Sequence, residues 1–446
     1  MSKINWHFVI KLHEFSSYFT QNELITLSLT CKKFRSCLKS IVLSNFNFNA
    51  FILTESYKSL EFTEKADGGL IDTLYLYNPF IDLTADYIEC THKFKRDLML
   101  LPRQLKKLVL FNCMDYTYLL YKFSEVFNKI TTLIIKKSII PMPLLIHLLK
   151  NFKCLYSLEL SFNKFISSRS LKIDLESNWP ASLRHVNIEG NTIWNINSTN
   201  NHLELFHHEV TGLSMGKFNL YPYHLPNLKS FCFEASLDDV IVGTLLSFLE
   251  LNPQVKRLTI HSEYHINQIW SIIQHFEDLN YIDYYKYFPI AINYTKAPVL
   301  NSVNSLELRI SKKIYRTDGF SLQYPNLTRL IINVRTRNYQ QISQFISNIP
   351  TLKSLKLILK YDFLFSRDLH LPKLNCLESI EFSTIDTFDY IELVFKLCNV
   401  PNLRLVEYTK VHKYGEWKPI ERHSLVATGW GLKTFPYKCA YYKIDE

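Results

Sequence analysis

Leu155–Asn163, which reads LYSLELSFN, is the stretch that decides the fold. Leu155, Leu158 and Leu160 stand three and then two residues apart, and Asn163 follows three residues later. Side chains at i and i+2 of a strand share a face, so Leu158 and Leu160 point together into a core while Glu159 points away. One short strand cannot bury such a face alone. The pattern demands neighbours of its own kind, and the chain supplies them.

The opening apolar position of each such strand falls at Ile71, Leu105, Ile130, Leu155, Leu183, Leu203, Leu228, Val255, Leu279, Val303, Leu327, Leu352, Leu377 and Leu403. From Leu105 onward the intervals are 25, 25, 28, 20, 25, 27, 24, 24, 24, 25, 25 and 26 residues. A sustained period of this length marks stacked units, each burying its apolar face against the next. The L-x-x-L-x-L pattern resembles the leucine-rich-repeat family. The resemblance implies an α/β solenoid, with a parallel sheet on the concave side and helices or irregular segments on the convex side. The family's ninth position is Asn or Cys, whose side chain serves backbone groups that the turn leaves unpaired. Cys113, Asn163 and Asn191 fit it, Ser138, Thr211, Ser236 and Ser311 are polar substitutes, and Arg335, Lys360 and Ile385 depart from it. Ile81–Met99, inside the long first interval, reads as a longer helix, an insertion or a displaced first repeat.

Helical periodicity marks the segments between strands. Leu144, Leu145, Leu148 and Leu149 follow Pro143, and Ile241, Leu245, Leu246 and Leu249 follow Asp238 and Asp239. Ile266, Ile269, Ile273 and Phe276 form one stripe, and YQQISQFISNI and TFDYIELVFKL repeat the theme. Prolines at 102, 180, 226, 253, 325, 350 and 401 precede the strands by two or three residues, which predicts that they end each helix and hold the chain extended.

Residues 1–48 have a different character. Phe8, Leu12, Phe15 and Phe19 recur at helical spacing. Leu24, Leu27 and Leu29 then mark a second helix, and Phe34, Leu38, Ile41 and Val42 a third. So few residues cannot bury a satisfactory core, and their surplus apolar surface must meet the following domain or another protein. The run NELITLSLTCKKFRSCL, Asn22 to Leu38, resembles the second half of the F-box, with Leu24, Leu27, Leu29, Cys31, Lys32, Phe34 and Arg35 on matching positions without a gap. The Leu-Pro that opens the family's motif is missing. The resemblance implies docking onto a Skp-type adaptor, and through it a cullin, by apolar anchors. It places adaptor contacts at Phe8, Leu12, Leu24, Leu27, Leu29, Cys31, Phe34 and Leu38. A helical cap on the first repeat is the alternative reading of the same segment. The expected domains are thus an F-box-like trihelical domain at 1–48, a solenoid of about 13–14 repeats at 49–411 and an aromatic cap or tail at 412–446.

Composition narrows the function. Apolar residues make up 47% of the 446, enough for a folded chain, and only 10 residues are glycine, which argues against glycine-built phosphate loops. No apolar run approaches a membrane span, and the N-terminus lacks a signal-peptide core, so a soluble protein of the cytoplasm or nucleus, without membrane contact, is expected. The nine cysteines form no C-x-x-C pair, so reduced thiols are expected, and the sequons at Asn197, Asn293 and Asn326 are read as accidental. The net charge of +10 is spread in small clusters, without one basic face interleaved with aromatics, so nucleic acid is not an expected partner.

The residue between the last two leucines of each strand points outward. That column reads Val109, Ile134, Glu159, Asn187, Cys232, Thr259, Asp283, Glu307, Ile331, Lys356, Glu381 and Glu407. Its acids, together with basic neighbours, suit a protein or peptide partner. Glu159, Asp283, Glu307, Glu381 and Glu407 are the expected contacts, joined by Tyr285 from the tyrosine-rich NYIDYYKYF, in which Ile282 and Tyr284 are assigned to the core. Catalysis is not expected: no G-x-S-x-G, H-E-x-x-H or kinase set occurs, and no cofactor or catalytic residue is assigned. His202, His207, His208 and Glu209 fall within a repeat strand and its turn and are not assigned as a metal site. Together the two resemblances imply a non-catalytic substrate-recognition subunit of an SCF-type ubiquitin ligase. The alternatives are a non-degradative F-box scaffold, such as a kinetochore subunit, and a nucleic-acid-binding solenoid.

Overall fold

Strands form where the repeat pattern places them. The structure is a computed structural model and describes residues 21–32, 34–36, 38, 44–52, 83–101, 105–113, 117–168, 179–196, 214–218, 222–234, 239–261, 266–284, 297–310, 319–334, 339–359, 374–384, 400–410, 430–435 and 438–444. It divides into two units, Met1–Leu228 and Lys229–Glu446. Both are mixed α/β, and each is built on a sheet of mainly parallel strands.

In the first unit the main sheet runs β1 (Asn45–Asn47), β2 (Lys107–Phe111), β3 (Thr132–Lys136), β5 (Ser157–Ser161) and β7 (His185–Glu189), all parallel. Leu158 and Leu160 of β5 are buried, and Leu133 and Ile135 of β3 stack in register beside them. Each such side chain contributes about 1.5–3 kcal/mol of burial, against which chain entropy is set. Behind the sheet lie α3 (Leu83–Leu100), α4 (Leu120–Val126) and α5 (Met142–Asn151), with α3 packed on α4 and α4 on α5. Within the ambiguous first interval, Leu83–Leu100 is therefore a long helix. Its Cys90, Phe94 and Leu98, spaced four apart, form the buried stripe. Short α2 (Phe48–Ile52) packs on β2, and α1 (Gln21–Thr30) lies N-terminal to all of these.

A second sheet departs from the expectation of helices or irregular segments behind the strands. Ile139–Pro141 (β4), Lys164–Ser168 (β6) and Thr192–Ile196 (β8) pair in parallel, and Ser214–Lys217 (β9) closes the set antiparallel to β8. The β-branched and aromatic content of IIP, KFISS and TIWNI favours strand over helix there.

After β2, β3, β5 and β7 of the first unit the chain turns through a left-handed residue: Asn112, Lys137, Phe162 and Gly190 have φ of 54°, 51°, 57° and 61°. A non-glycine residue in this region carries about 1–2 kcal/mol of steric cost, part of which glycine's greater entropy offsets. Lys137→Gly is therefore expected to stabilise the protein by roughly 0.5 kcal/mol. Gly190→Ala should destabilise it by about 1–2 kcal/mol, because it takes on the φ cost and its Cβ meets the Phe162 ring at 2.5 Å. Urea denaturation of the two variants checks the opposite signs.

The second unit carries β10 (Ser230–Phe233), β11 (Arg257–Ile260), β12 (Tyr281–Tyr284), β13 (Ser305–Ile310), β14 (Arg329–Val334), β15 (Ser354–Leu359), β16 (Ser379–Thr384) and β17 (Leu405–Lys410), parallel in that order. Helices α6 (Asp239–Leu251), α7 (Ile266–Ile273), α8 (Phe320–Gln323) and α9 (Tyr339–Ser347) connect them. The stripe Ile266, Ile269, Ile273 and Phe276 is buried, and Trp270 joins it. From α6, Leu245 and Leu249 are buried while Leu246 is only half-buried. The C-terminal hairpin β18 (Trp430–Phe435) and β19 (Lys438–Lys443) adds to β17 antiparallel through β19.

The prolines sit differently from the extended conformation expected of them. The opening residues Leu228, Val255, Leu327, Leu352 and Leu403 each donate their N–H to the carbonyl three residues back, with Pro226, Pro253, Pro325, Pro350 and Pro401 inside the turn so closed. The fixed φ of proline suits the second position of such a turn, which is why it recurs there. The third position reaches back to an earlier repeat: Asn227 bonds the Ala181 carbonyl, 46 residues back, and Asn326 the Asn301 carbonyl, 25 residues back. Asn326, one of the apparent sequons, thus has a structural partner. No helix among the described residues is long and apolar enough to cross a membrane. The expected strands at Ile71 and Leu203, the segment TFDYIELVFKL and the histidine cluster at 202–209 lie outside the described residues.

Candidate binding face

Parallel in-register pairing turns one sequence position per repeat into a line of side chains. In the first unit Val109, Ile134, Glu159 and Asn187 are successive partners. In the second unit the line is Cys232, Thr259, Asp283, Glu307, Ile331, Lys356, Glu381 and Glu407, and it continues onto Ala440 of β19. All of the predicted positions are half-buried except Ile331, which is 7% exposed and belongs to the core rather than to the open face.

The acids of this line are mostly neutralised by neighbouring strands. Glu159 pairs with Lys136 at 2.6 Å, Glu381 with Lys356 at 2.7 Å and Glu407 with Lys438 at 2.6 Å. Glu381 also accepts hydrogen bonds from Ser383 at 3.1 Å and Thr409 at 3.4 Å. Such partly exposed pairs each stabilise by about 0–1 kcal/mol, and they leave these carboxylates less free for a partner than the sequence suggests. Lys136, Lys356 and Lys438 are functional neighbours of these acids, and only Lys356 stands in the column readable from sequence. Lys438 lies beyond the last repeat, where periodicity has nothing to say.

Between Arg257 and Arg309 the face changes character. Tyr281 donates to Glu307 at 2.7 Å, and the Arg257 guanidinium lies 4.5 Å above the Tyr281 ring. Burial raises the Tyr281 hydroxyl pKa, and the Glu307 carboxylate that accepts its proton raises it further. Asp283 is pushed up to about 7, first by desolvation and then by the negative charge of Glu307, with Arg309 opposing. Among the described residues its Oδ1 has no hydrogen-bond partner. Asn187 Oδ1 in the same line of the first unit and Asn333 Oδ1 on β14 share this condition, and an orphaned acceptor on an exposed sheet face marks a contact point for a donor.

The sign of the resulting pH dependence is fixed. A carboxyl whose folded pKa lies above its unfolded value of 3.8 holds more protons when folded, so stability declines as pH rises from about 4 through 7. Asp283→Asn should therefore gain about 1–2 kcal/mol over the parent at pH 8 and nothing at pH 3.5. Urea midpoints at the two pH values test this, and equal differences at both would defeat it.

In the first unit the face is aromatic. His185 and Tyr156 share a hydrogen bond of 3.1 Å with rings 4.9 Å apart, and Arg184 lies 5.3 Å over the tyrosine. Phe111 and Phe162 are about half exposed.

The N-terminal positions separate into two groups. Leu24 and Leu38 are buried and unavailable as adaptor contacts, because their side chains turn into the local packing. Leu29 is 65% exposed, Cys31 is exposed, and Leu27 and Phe34 are half-buried. Phe8 and Leu12 lie outside the described residues, as does the expected contact Tyr285. The assigned core positions Ile282 and Tyr284 are both buried.

Sequence reasoning missed one arrangement. Cys232 Sγ lies 3.2 Å from His261 Nε2, and Glu234 is close by. Its only trace in the sequence is C-x-E at one strand end and T-x-H at the next, 27 residues apart.

No family model matches the chain. No curated protein matches it. A solved structure, that of a TLR13–ssRNA13 complex, is similar with a TM-score of 0.33 and 15% identity over 68% of this chain and 46% of the other. The chain thus spans about half the length of that solved chain. What the sequence and structure establish together is a mixed α/β protein with extensive parallel sheet and an outward face of half-buried charged residues.

Proposed function

We propose that the chain is a leucine-rich-repeat solenoid fronted by an F-box-like helical segment, and that it serves as the substrate-recognition subunit of an SCF-type ubiquitin ligase. The reading is carried by the stretch Asn22–Leu38, whose spacing matches the second half of the F-box and which leaves Leu29 and Cys31 exposed. An exposed leucine on a helix is the kind of anchor that helix-in-groove docking uses. The repeat period of 24–28 residues through most of the chain, with a side-chain hydrogen-bonded turn in successive repeats, supports the solenoid. The mechanism is positioning: the N-terminal helices hold a Skp-type adaptor, and the outward face holds a protein substrate near a ubiquitin-charged enzyme on the cullin. The hairpin β18–β19 acts in this reading as the cap of the last repeat.

Mass spectrometry of the tagged protein tests this. A Skp-type adaptor and a cullin are expected in the purified complex, and Leu29→Asp should lower adaptor recovery at least tenfold without changing the thermal midpoint. Recovery of the adaptor without a cullin would favour the non-degradative scaffold. Absence of any adaptor would remove both readings and leave the N-terminal segment as a cap.

A further inference from the structure

Each parallel strand of the second unit is entered through the residue that follows the buried opening position. These residues are Lys229, Lys256, Asn280, Asn304, Thr328, Lys353, Glu378 and Arg404, and Lys443 of the C-terminal hairpin takes the same place beside Arg404. From Lys256 onward each donates its N–H to the carbonyl of the one before, so they form a continuous line across the strand starts. Beside it runs the first residue of each strand, with Arg257, Tyr281, Ser305 and Arg329 as successive partners. Leu258 and Leu330 are buried, so alternation sends Arg257 and Arg329 outward.

These two rows carry the bases Lys229, Lys256, Arg257, Arg329, Lys353, Arg404 and Lys443 against a single acid, Glu378. All of these bases are exposed except Lys256, which is half-buried. Among the described residues Lys229, Arg329, Arg404 and Lys443 have no ion-pair partner. The pairs that do form, Lys256 with Asp278 at 3.5 Å and Lys353 with Glu378 at 3.8 Å, join exposed side chains and are weak and screened. Further along the same strands the balance differs, for Glu381 holds Lys356 at 2.7 Å and Glu407 holds Lys438 at 2.6 Å.

We propose that this basic rim docks an extended acidic segment of a partner protein. The proposal gives a chemical class to the protein held by the outward face; it rests on that face binding protein and not on the adaptor. Uncompensated positive charge along one line is complementary to a chain of carboxylates. Asn280 and Asn304 are exposed between Arg257 and Arg329 and supply amide donors that a carboxylate or a peptide carbonyl accepts. Strands about 4.8 Å apart make the line from β10 to β19 roughly 38 Å long, which an extended peptide of about 12 residues spans. Single-stranded nucleic acid is also anionic, but its bases need open aromatic faces to stack on. The aromatic rings of these rows are taken by cations: Arg257 lies 4.5 Å over Tyr281 and Lys433 lies 4.9 Å over Tyr442.

The test is fluorescence anisotropy of the purified full chain with a fluorescein-labelled peptide of about 12 alternating Glu and Ser residues, in low salt. Saturable binding that weakens as salt is raised is expected. Arg329→Glu combined with Arg404→Glu should weaken it at least tenfold, and Lys229→Ser combined with Lys443→Ser, at the two ends of the line, at least threefold. Lys129→Glu combined with Lys150→Glu removes as much net charge as the arginine pair from exposed positions of the first unit, and should leave binding within twofold. Circular dichroism melts check that every variant folds. Absence of saturable binding by the parent overturns the proposal, as does an equal loss in the Lys129 and Lys150 variant, which makes the effect one of net charge. Tighter binding of oligo-dT of the same length, lost in the rim variants, overturns it in favour of nucleic acid. Adaptor recovery is measured separately, so the failure of either reading leaves the other standing.

Discussion

Replacing Asn163 by alanine is expected to lower the unfolding free energy by about 4 kcal/mol, the largest effect of any single polar substitution in the first unit. Asn163 is 1% exposed and holds three groups at once. Its Oδ1 accepts from the Ser138 N–H at 3.0 Å, and its Nδ2 donates to the Ile135 carbonyl at 2.8 Å and to Asn191 Oδ1 at 2.9 Å. Alanine leaves a buried N–H and a buried carbonyl unpaired, each costing about 1–3 kcal/mol. Asn191→Ala likewise removes three bonds: its Oδ1 accepts from the Asn163 N–H and Nδ2, and its Nδ2 donates to the Leu160 carbonyl. Asn191 is half-buried, however, so water replaces part of the loss and about 2 kcal/mol is expected. Urea unfolding of the two variants gives the ranking directly. If Asn163→Ala falls within 1 kcal/mol of the parent, the ladder does not hold the turns together.

The second large effect lies in the core of the other unit. Trp270 Nε1 donates to the Tyr284 hydroxyl at 2.8 Å, and that hydroxyl shares a hydrogen bond of 2.6 Å with Tyr324. All three side chains are essentially fully buried. Burial raises the Tyr284 hydroxyl to about 12, with its two hydrogen bonds opposing, so it stays protonated throughout the neutral range. Tyr284→Phe removes the shared centre and takes this acceptor from the buried indole N–H, for an expected loss of about 3 kcal/mol. Tyr324→Phe removes one end only and should cost about 1 kcal/mol. The difference reads out in thermal or urea midpoints, with Trp270 fluorescence as a local reporter. Equal losses in the two variants would mean that the network is not centred on Tyr284.

The strands were readable because their signal is local. Leu155, Leu158 and Leu160 declare themselves through spacing alone, and each opening residue from Leu155 to Leu403 that the structure describes is buried. The outward line was readable for a related reason. Parallel pairing without register slip sends the same repeat position to the same column, so Asp283 and Glu307 had to be neighbours once both strands existed. What the columns do not contain is rotamer and diagonal information. That Lys136 reaches Glu159 depends on how a long side chain crosses between strands, and a one-residue pattern carries none of that. Burial of Ile331 within the line, and of Leu24 and Leu38 in the N-terminal segment, likewise depends on packing partners distant in sequence. The second sheet went unseen because IIP, KFISS and TIWNI are too short for alternation to stand out from an irregular segment.

The asparagine ladder has a polarity. Asn163 closes the turn of the repeat before it, and Asn191 closes that of Asn163, while the Ser138 hydroxyl serves the Cys113 N–H in the same sense. Each repeat is completed by its successor. A chain synthesised from its amino end therefore cannot finish one repeat until about 25 more residues have left the ribosome, and growth of order lags translation by a fixed stride. The same polarity makes deletions asymmetric: removing one repeat injures the unit upstream of the cut, not the unit downstream.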